Sequence, residues 1–228
     1  MKKLLLLSFI VTSFVLNAQD WDFEKPDYDK IEKNIKEKDS NLFYELLMKR
    51  YKEADSTMTL KEKRHLYYGY QFDEKYSPYS TSDFSDSLRV VLNKKSLDSL
   101  DYTNIVTFTN KILEENPFDL RAINYQLFAL EKKGDTASFN KKVIQLYIIV
   151  DSLLSSGTGK SKEDSFYVLF TSHEYDLLRI LGFKFGGSQS LIEHYDYLTL
   201  EKNEANIEGL YFDVSPCLAS MSKMFKEK

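Results

Sequence analysis

Cysteine, glycine and proline are scarce in this chain of 228 residues: one Cys, eight Gly and four Pro. A single thiol closes no intramolecular disulfide, so Cys217 reads as a small buried residue and stability must come from an ordinary core. So few Gly and Pro leave little of the turn chemistry that a sandwich or barrel consumes, which points to helices. Histidine occurs three times. His65, His173 and His194 have no Cys or His partner at metal-ligand spacing, so neither a metal nor any other cofactor is expected. Basic residues are outnumbered, 31 Lys and Arg against 35 Asp and Glu for a formal charge of −4. That balance disfavours nucleic acid and anionic lipid surfaces as partners. Beyond the N-terminus no long apolar run occurs, so no membrane span is expected in the mature chain.

What is present begins with the first twenty residues. Lys2 and Lys3 precede an apolar-to-small run from Leu4 to Leu16, followed by Asn17, Ala18, Gln19 and Asp20. A positive start, a short apolar stretch and a small residue at the cut describe a secretory signal peptide, residues 1–18, cleaved near Ala18. The alternative, an uncleaved anchor helix, is disfavoured because the run falls short of the roughly 20 residues a span needs. A lipoprotein cut requires a cysteine that is not there. The expectation is an exported protein, periplasmic or secreted, whose formal charge falls to −6 once Lys2 and Lys3 are gone.

The remaining sequence reads as mostly helical. Asp27 or Asp29 can cap a helix carrying Ile31 and Ile35, and Leu42, Phe43, Leu46, Leu47 and Tyr51 line one face of a second. Thr59 and Glu62 have capping-box spacing ahead of Leu66, Tyr67 and Tyr70. Asp73 to Asp86 reads as a loop, and helix resumes with Leu88, Val91 and Leu92. Further helices are expected over about 102–115, 120–133 and 136–154, with Gly134 as a left-handed stop. Ser155 to Gly159 reads as a flexible linker. After it, Phe166 to Phe170 is strand-like, Glu174 to Leu181 helical, and Gly186 to Ser190 a turn or helix cap. Tyr195 to Glu201 and Ile207 to Val214 form a hairpin, and Leu218 to Lys226 a closing helix. The predicted class is α+β, predominantly α. Stacked helical hairpins over 19–160 precede a small antiparallel β-sheet with one or two helices over 161–228.

Ile112 to Pro117, Leu120 to Gly134 and Phe139 to Leu146 together resemble a tetratricopeptide repeat, with Ile123, Leu130, Phe139, Val143 and Leu146 at packing positions. Leu127 and Phe139 depart from the small residues that repeat normally carries there. Only one such unit is visible, where at least three normally stack. Over about residues 25–225 the chain resembles an uncharacterised family of exported bacterial proteins, domain of unknown function 4919. The likeness is carried by Pro26-Asp-Tyr28, Tyr67-Tyr-Gly-Tyr70, Ser156-Gly-Thr-Gly-Lys160, His173-Glu-Tyr175 with Leu178 and Gly182, Tyr195-Asp-Tyr-Leu198 and Leu210-Tyr-Phe-Asp213. It implies export and a shared fold, and brings no activity with it.

Catalytic motifs fail on spacing. Gly157-Thr-Gly-Lys-Ser161 lacks the first glycine of a phosphate loop, since position 154 is Leu. His173-Glu174 begins like a zinc-protease helix, but Leu177 stands where the second histidine belongs. The plainer reading places Glu174 at the positive end of a helix. Ser188 is followed two residues later by Ser190, not by the glycine of a nucleophile elbow. Carboxylates are too many for sequence to single out an acid–base pair. Aromatic residues are plentiful, sixteen Tyr and sixteen Phe. Tyr67 and Tyr70 read as core, whereas Tyr76 and Tyr79, flanking Pro78, read as surface. Tyr76, Tyr79, His173 and Glu174 are the candidate binding surface. The expected function is a non-catalytic module that binds an envelope protein or a peptide, its oligomeric state open. The alternative is a hydrolase of envelope or extracellular polymers with a cleft between the two regions.

Overall fold

A computed structural model describes residues 23–226. The expected signal peptide, residues 1–18, lies outside them. Seven helices come first: α1 (Tyr28–Ile35), α2 (Tyr44–Lys52), α3 (Leu60–Gly69), α4 (Phe84–Leu92), α5 (Ser99–Glu115), α6 (Leu120–Lys133) and α7 (Thr136–Leu154). Then follow β1 (Phe166–Tyr167), α8 (Thr171–Ile180), β2 (Phe185–Ile192), β3 (Tyr195–Leu200), β4 (Gly209–Asp213) and α9 (Ser215–Lys226). The fold is α+β and predominantly α. Among the described residues no helix is long and apolar enough to cross a membrane.

Short polar side chains set most helix starts. Asp27, Asp119 and Asp135 accept from backbone N–H groups three residues on, and Thr59/Glu62 and Asp98/Asp101 close reciprocal capping boxes. Each such cap contributes about 1 kcal/mol. Gly134 ends α6 at φ 69°, a left-handed conformation that costs other residues a steric clash.

One hydrophobic cluster joins Ile31, Leu47, Tyr67, Ile123 and Leu153 to Phe166, Leu177, Leu198, Phe212 and Cys217, and so draws on both the helical and the α+β region. A smaller cluster unites Leu88, Val91, Ile105, Ala122, Phe128 and Ala129 of α4, α5 and α6. Helix α6 serves both, with Ile123 and Leu127 facing one and Ala122 and Ala129 the other.

The run expected to be a flexible linker is instead folded tightly. Ser155 and Ser156 are buried. Arg64 donates to Ser155 O at 3.0 Å, and Tyr167 N donates to Ser156 Oγ at 3.0 Å. Thr158 N and Gly159 N both donate to Asp164 O. Small residues are needed here for close approach rather than mobility: a Cβ on Gly157 would lie 2.4 Å from Ser165 O.

The sheet order is β1-β4-β3-β2. The expected hairpin is β3–β4, antiparallel, but β1 runs parallel to β4, so the sheet is mixed rather than antiparallel. The stretch expected to be a turn or cap, Gly186 to Ser190, lies within strand β2, antiparallel to β3. Its glycines form a bulge: the register shifts between Phe185 and Gln189, and Gly187 sits at φ 95°. Thr199 Oγ1 fills the gap, accepting from Ser188 N at 3.1 Å and donating to Ser188 O at 3.0 Å.

Candidate functional site

The first turn of α8 directs its side chains into the seam between the helices and the sheet. His173 is 0% exposed. Its Nε2 lies 2.9 Å from Phe118 O, a pure acceptor, so Nε2 carries the proton and donates. Nδ1 is then the acceptor, and the Tyr67 hydroxyl, 2.8 Å away, donates to it. Tyr67 Oη in turn accepts from Leu169 N at 3.0 Å. Every polar atom in this chain is satisfied with a neutral ring. Burial accordingly pushes His173 down to about 4, against the pull of Phe118 O toward the charged form. With both nitrogens engaged, His173 has no lone pair for a metal and no exposed face for a partner. It belongs to the interior, a correction to its place on the candidate surface.

Glu174 is also 0% exposed, which removes it from the surface for the same reason. It meets Asp196 of β3, itself buried, beneath Gln189 of β2. Gln189 Nε2 donates to Asp196 Oδ2 at 2.8 Å and reaches Glu174 Oε2 at 3.4 Å, so one amide spans two carboxyl groups. The Tyr175 hydroxyl donates to Gln189 Oε1 and fixes the amide's orientation. Burial, reinforced by Asp196, pushes Glu174 up to about 9. Glu174 is therefore a neutral acid at pH 7. Asp176, one turn face away, is buried as well. Its Oδ1 accepts from Arg121 and Arg179, while Oδ2 has no partner among the described residues.

The two tyrosines lie above this cluster. Tyr76 is half-buried and donates to Leu169 O at 2.7 Å, its ring packed on Tyr70 and Phe170. Tyr79 is 41% exposed. Partial burial, with the nearby Cys217, Asp196 and Glu174, pushes its hydroxyl upward. Beneath both lies Cys217, whose thiol burial pushes up to about 12. It is protonated and unreactive. Of the four candidate residues, Tyr79 is exposed, Tyr76 is half-buried against Cys217, and His173 and Glu174 are buried. Tyr76 also lines a cleft of about 370 Å³ with Lys36, Asp73 and Lys223. Among the described residues no group of three His, Cys, Asp or Glu stands together as a metal site.

The family model described as Domain of unknown function (DUF4919) matches residues 29–223. The chain belongs to that family. Among curated proteins and among solved structures, nothing matches it. Within this DUF4919 chain, the residues that complete the cluster and that sequence reasoning passed over are Tyr67, Gln189 and Asp196. Spacing marks Tyr67 as core and gives no sign of its partner His173. Gln189 falls in a stretch that reads as a turn, and its partners lie 15 and 7 residues away on other elements. No spacing signal connects such positions.

Proposed function

We propose that this DUF4919 protein is an exported, non-catalytic module that binds another protein of the cell envelope or an extended peptide. One observation carries the reading: the groups with chemistry to offer, Glu174, Asp196, His173 and Cys217, are sealed beneath the surface. Among the large apolar and aromatic side chains that face solvent are Tyr79, Tyr147, Leu191 and Ile192. Surfaces of that composition suit protein recognition more than bond-breaking. The consecutive helices α5, α6 and α7, the last two joined at Gly134, support reading residues 19–160 as repeat-like hairpins that present a helical face. Export itself is supported by the Lys2-Lys3 and Leu4-to-Leu16 pattern.

The hydrolase reading has one observation in its favour, the protonated Glu174 beside Asp196, since a neutral acid next to a carboxylate is the arrangement acid–base hydrolysis uses. Substrate would need to displace Gln189 to reach them, so the binding reading takes precedence. Cross-linked affinity capture of the tagged chain from envelope fractions tests it. A reproducible partner is expected, and its absence, or polymer hydrolysis lost in E174Q, would overturn it.

A further inference from the structure

Strand β2 forms one end of the sheet, with β3 on one side and no strand on the other among the described residues. Sheet edges of this kind are normally blunted by charge, proline or a covering element. Here the strand, Phe185-Gly-Gly-Ser-Gln-Ser-Leu-Ile192, contains neither charge nor proline, and Gly186 to Ile192 are all exposed. The bulge occupies its first half. From Gln189 to Ile192 the pairing with β3 is continuous, so the open edge is regular over those four residues.

This segment is also held in place from below. Gln189 is tied to Asp196, Glu174 and Tyr175, so the edge is ordered before anything binds to it. Its two faces differ. Gln189 and Leu191 are in register with buried Leu198 and Asp196 and lie on the core side. Ser190 and Ile192 are in register with Tyr197 and Tyr195 and lie on the outer side. There the half-buried Tyr197 packs against Tyr211 with the rings tilted, centroids 4.6 Å apart. Leu191 is 54% and Ile192 40% exposed, an apolar residue on each face of the edge.

We infer that residues Gln189–Ile192 of β2 are a strand-addition site, which an extended segment of a partner protein joins as a fifth strand. This deepens the binding reading above and rests on it. Main-chain hydrogen bonds would give the attachment, and alternate apolar or aromatic side chains of the segment would pack on Leu191 from one face and on Ile192 and Tyr195 from the other. A second copy of this chain fits less well. The regular edge is only about 14 Å long. Two such strips placed side by side bury far less than the about 1,200 Å² that a stable dimer needs. A single peptide strand, bound weakly and reversibly, matches that contact.

The test uses a displayed library of random twelve-residue peptides selected on the protein, with affinities of the enriched peptides measured against variants. Ile192→Lys puts a charge on the open edge, and Ser190→Pro stiffens its backbone. Val90→Ala, on the exposed face of α4, serves as control, and thermal melting confirms that each variant folds. Enriched peptides are expected to alternate apolar and other residues, to bind about tenfold more weakly to Ile192→Lys, and to bind Val90→Ala as tightly as the wild type. Amide exchange at residues 189–192 should slow when the peptide is present. Failure to enrich, or peptides indifferent to both β2 variants, would overturn the strand-addition site. An envelope partner captured equally by wild type and Ile192→Lys would do the same while leaving the binding reading standing. A concentration-dependent dimer abolished by Ile192→Lys would replace the peptide with a second copy.

Discussion

Tyr67 shows how much one hydroxyl can hold. It donates to His173 Nδ1 and accepts from Leu169 N, both at full burial. Tyr67→Phe leaves a buried N–H and a buried imidazole nitrogen without partners while removing almost no apolar contact. An unsatisfied buried polar group costs about 1–3 kcal/mol, so a loss of about 2–4 kcal/mol is expected in urea unfolding. A loss below about 1 kcal/mol would mean that water or a relaxed ring takes over. The same pair marks the limit of what residue types disclose. The sequence pattern correctly placed His173 and Glu174 at the start of a helix. Helical position does not say which way that helix turn faces, and both residues face inward. Tyr67 was legible as core from its spacing with Leu66 and Tyr70, but its acceptor lies 106 residues away.

At the level of elements, capping chemistry was readable because it is local. Thr59 and Glu62, Asp27, and Gly134 all act within the turn that contains them. Glycine is ambiguous in exactly the places where the fold departs from expectation, because the same residue serves mobility, turns and close approach. At 157 and 186 it serves close approach, and only neighbours distant in sequence reveal that. The distinction can be measured. Gly157→Ala forces a methyl against the Ser165 and Asp164 backbone, which cannot swing aside as a side chain can. A loss of about 2 kcal/mol or more is expected. Gly182→Ala provides the comparison, since φ is 79° there but nothing lies within 4 Å. It should cost only the backbone strain, about 1 kcal/mol. Equal losses at the two sites in parallel denaturant titrations would contradict the close-packed reading of Ser155 to Gly159.

Across the whole molecule, the continuity of the core from Ile31 to Cys217 joins two titratable groups that oppose each other. That continuity runs through the contacts of α7 with β1 and of α6 with α8, which no local pattern encodes. His173 titrates near 6.5 when unfolded and is lowered to about 4 by folding. Its neutral form is therefore preferred in the native state, and the stability it contributes is present above pH 6.5 and lost as pH falls toward 4. Glu174 titrates near 4.5 unfolded and is raised to about 9, so its contribution is complete below pH 4.5 and lost as pH rises toward 9. Between pH 4.5 and 6.5 the two effects cancel in slope. Above 6.5 only that of Glu174 remains, and it drains stability at up to about 1.4 kcal/mol per pH unit. For a chain of this size that is a few degrees in melting temperature per unit. Groups facing Glu174 from the neighbouring elements, Asp196 of β3, Cys217 of α9 and Tyr79 of the preceding loop, are acidic or neutral, so none offsets the new charge. E174Q keeps the shape and a donor toward Asp196 but cannot ionise. Its melting temperature between pH 6.5 and 9, followed by circular dichroism, should stay nearly level while that of the wild type falls. Parallel declines in the two proteins would mean that Glu174 ionises freely in the native state and is not the neutral acid its burial implies.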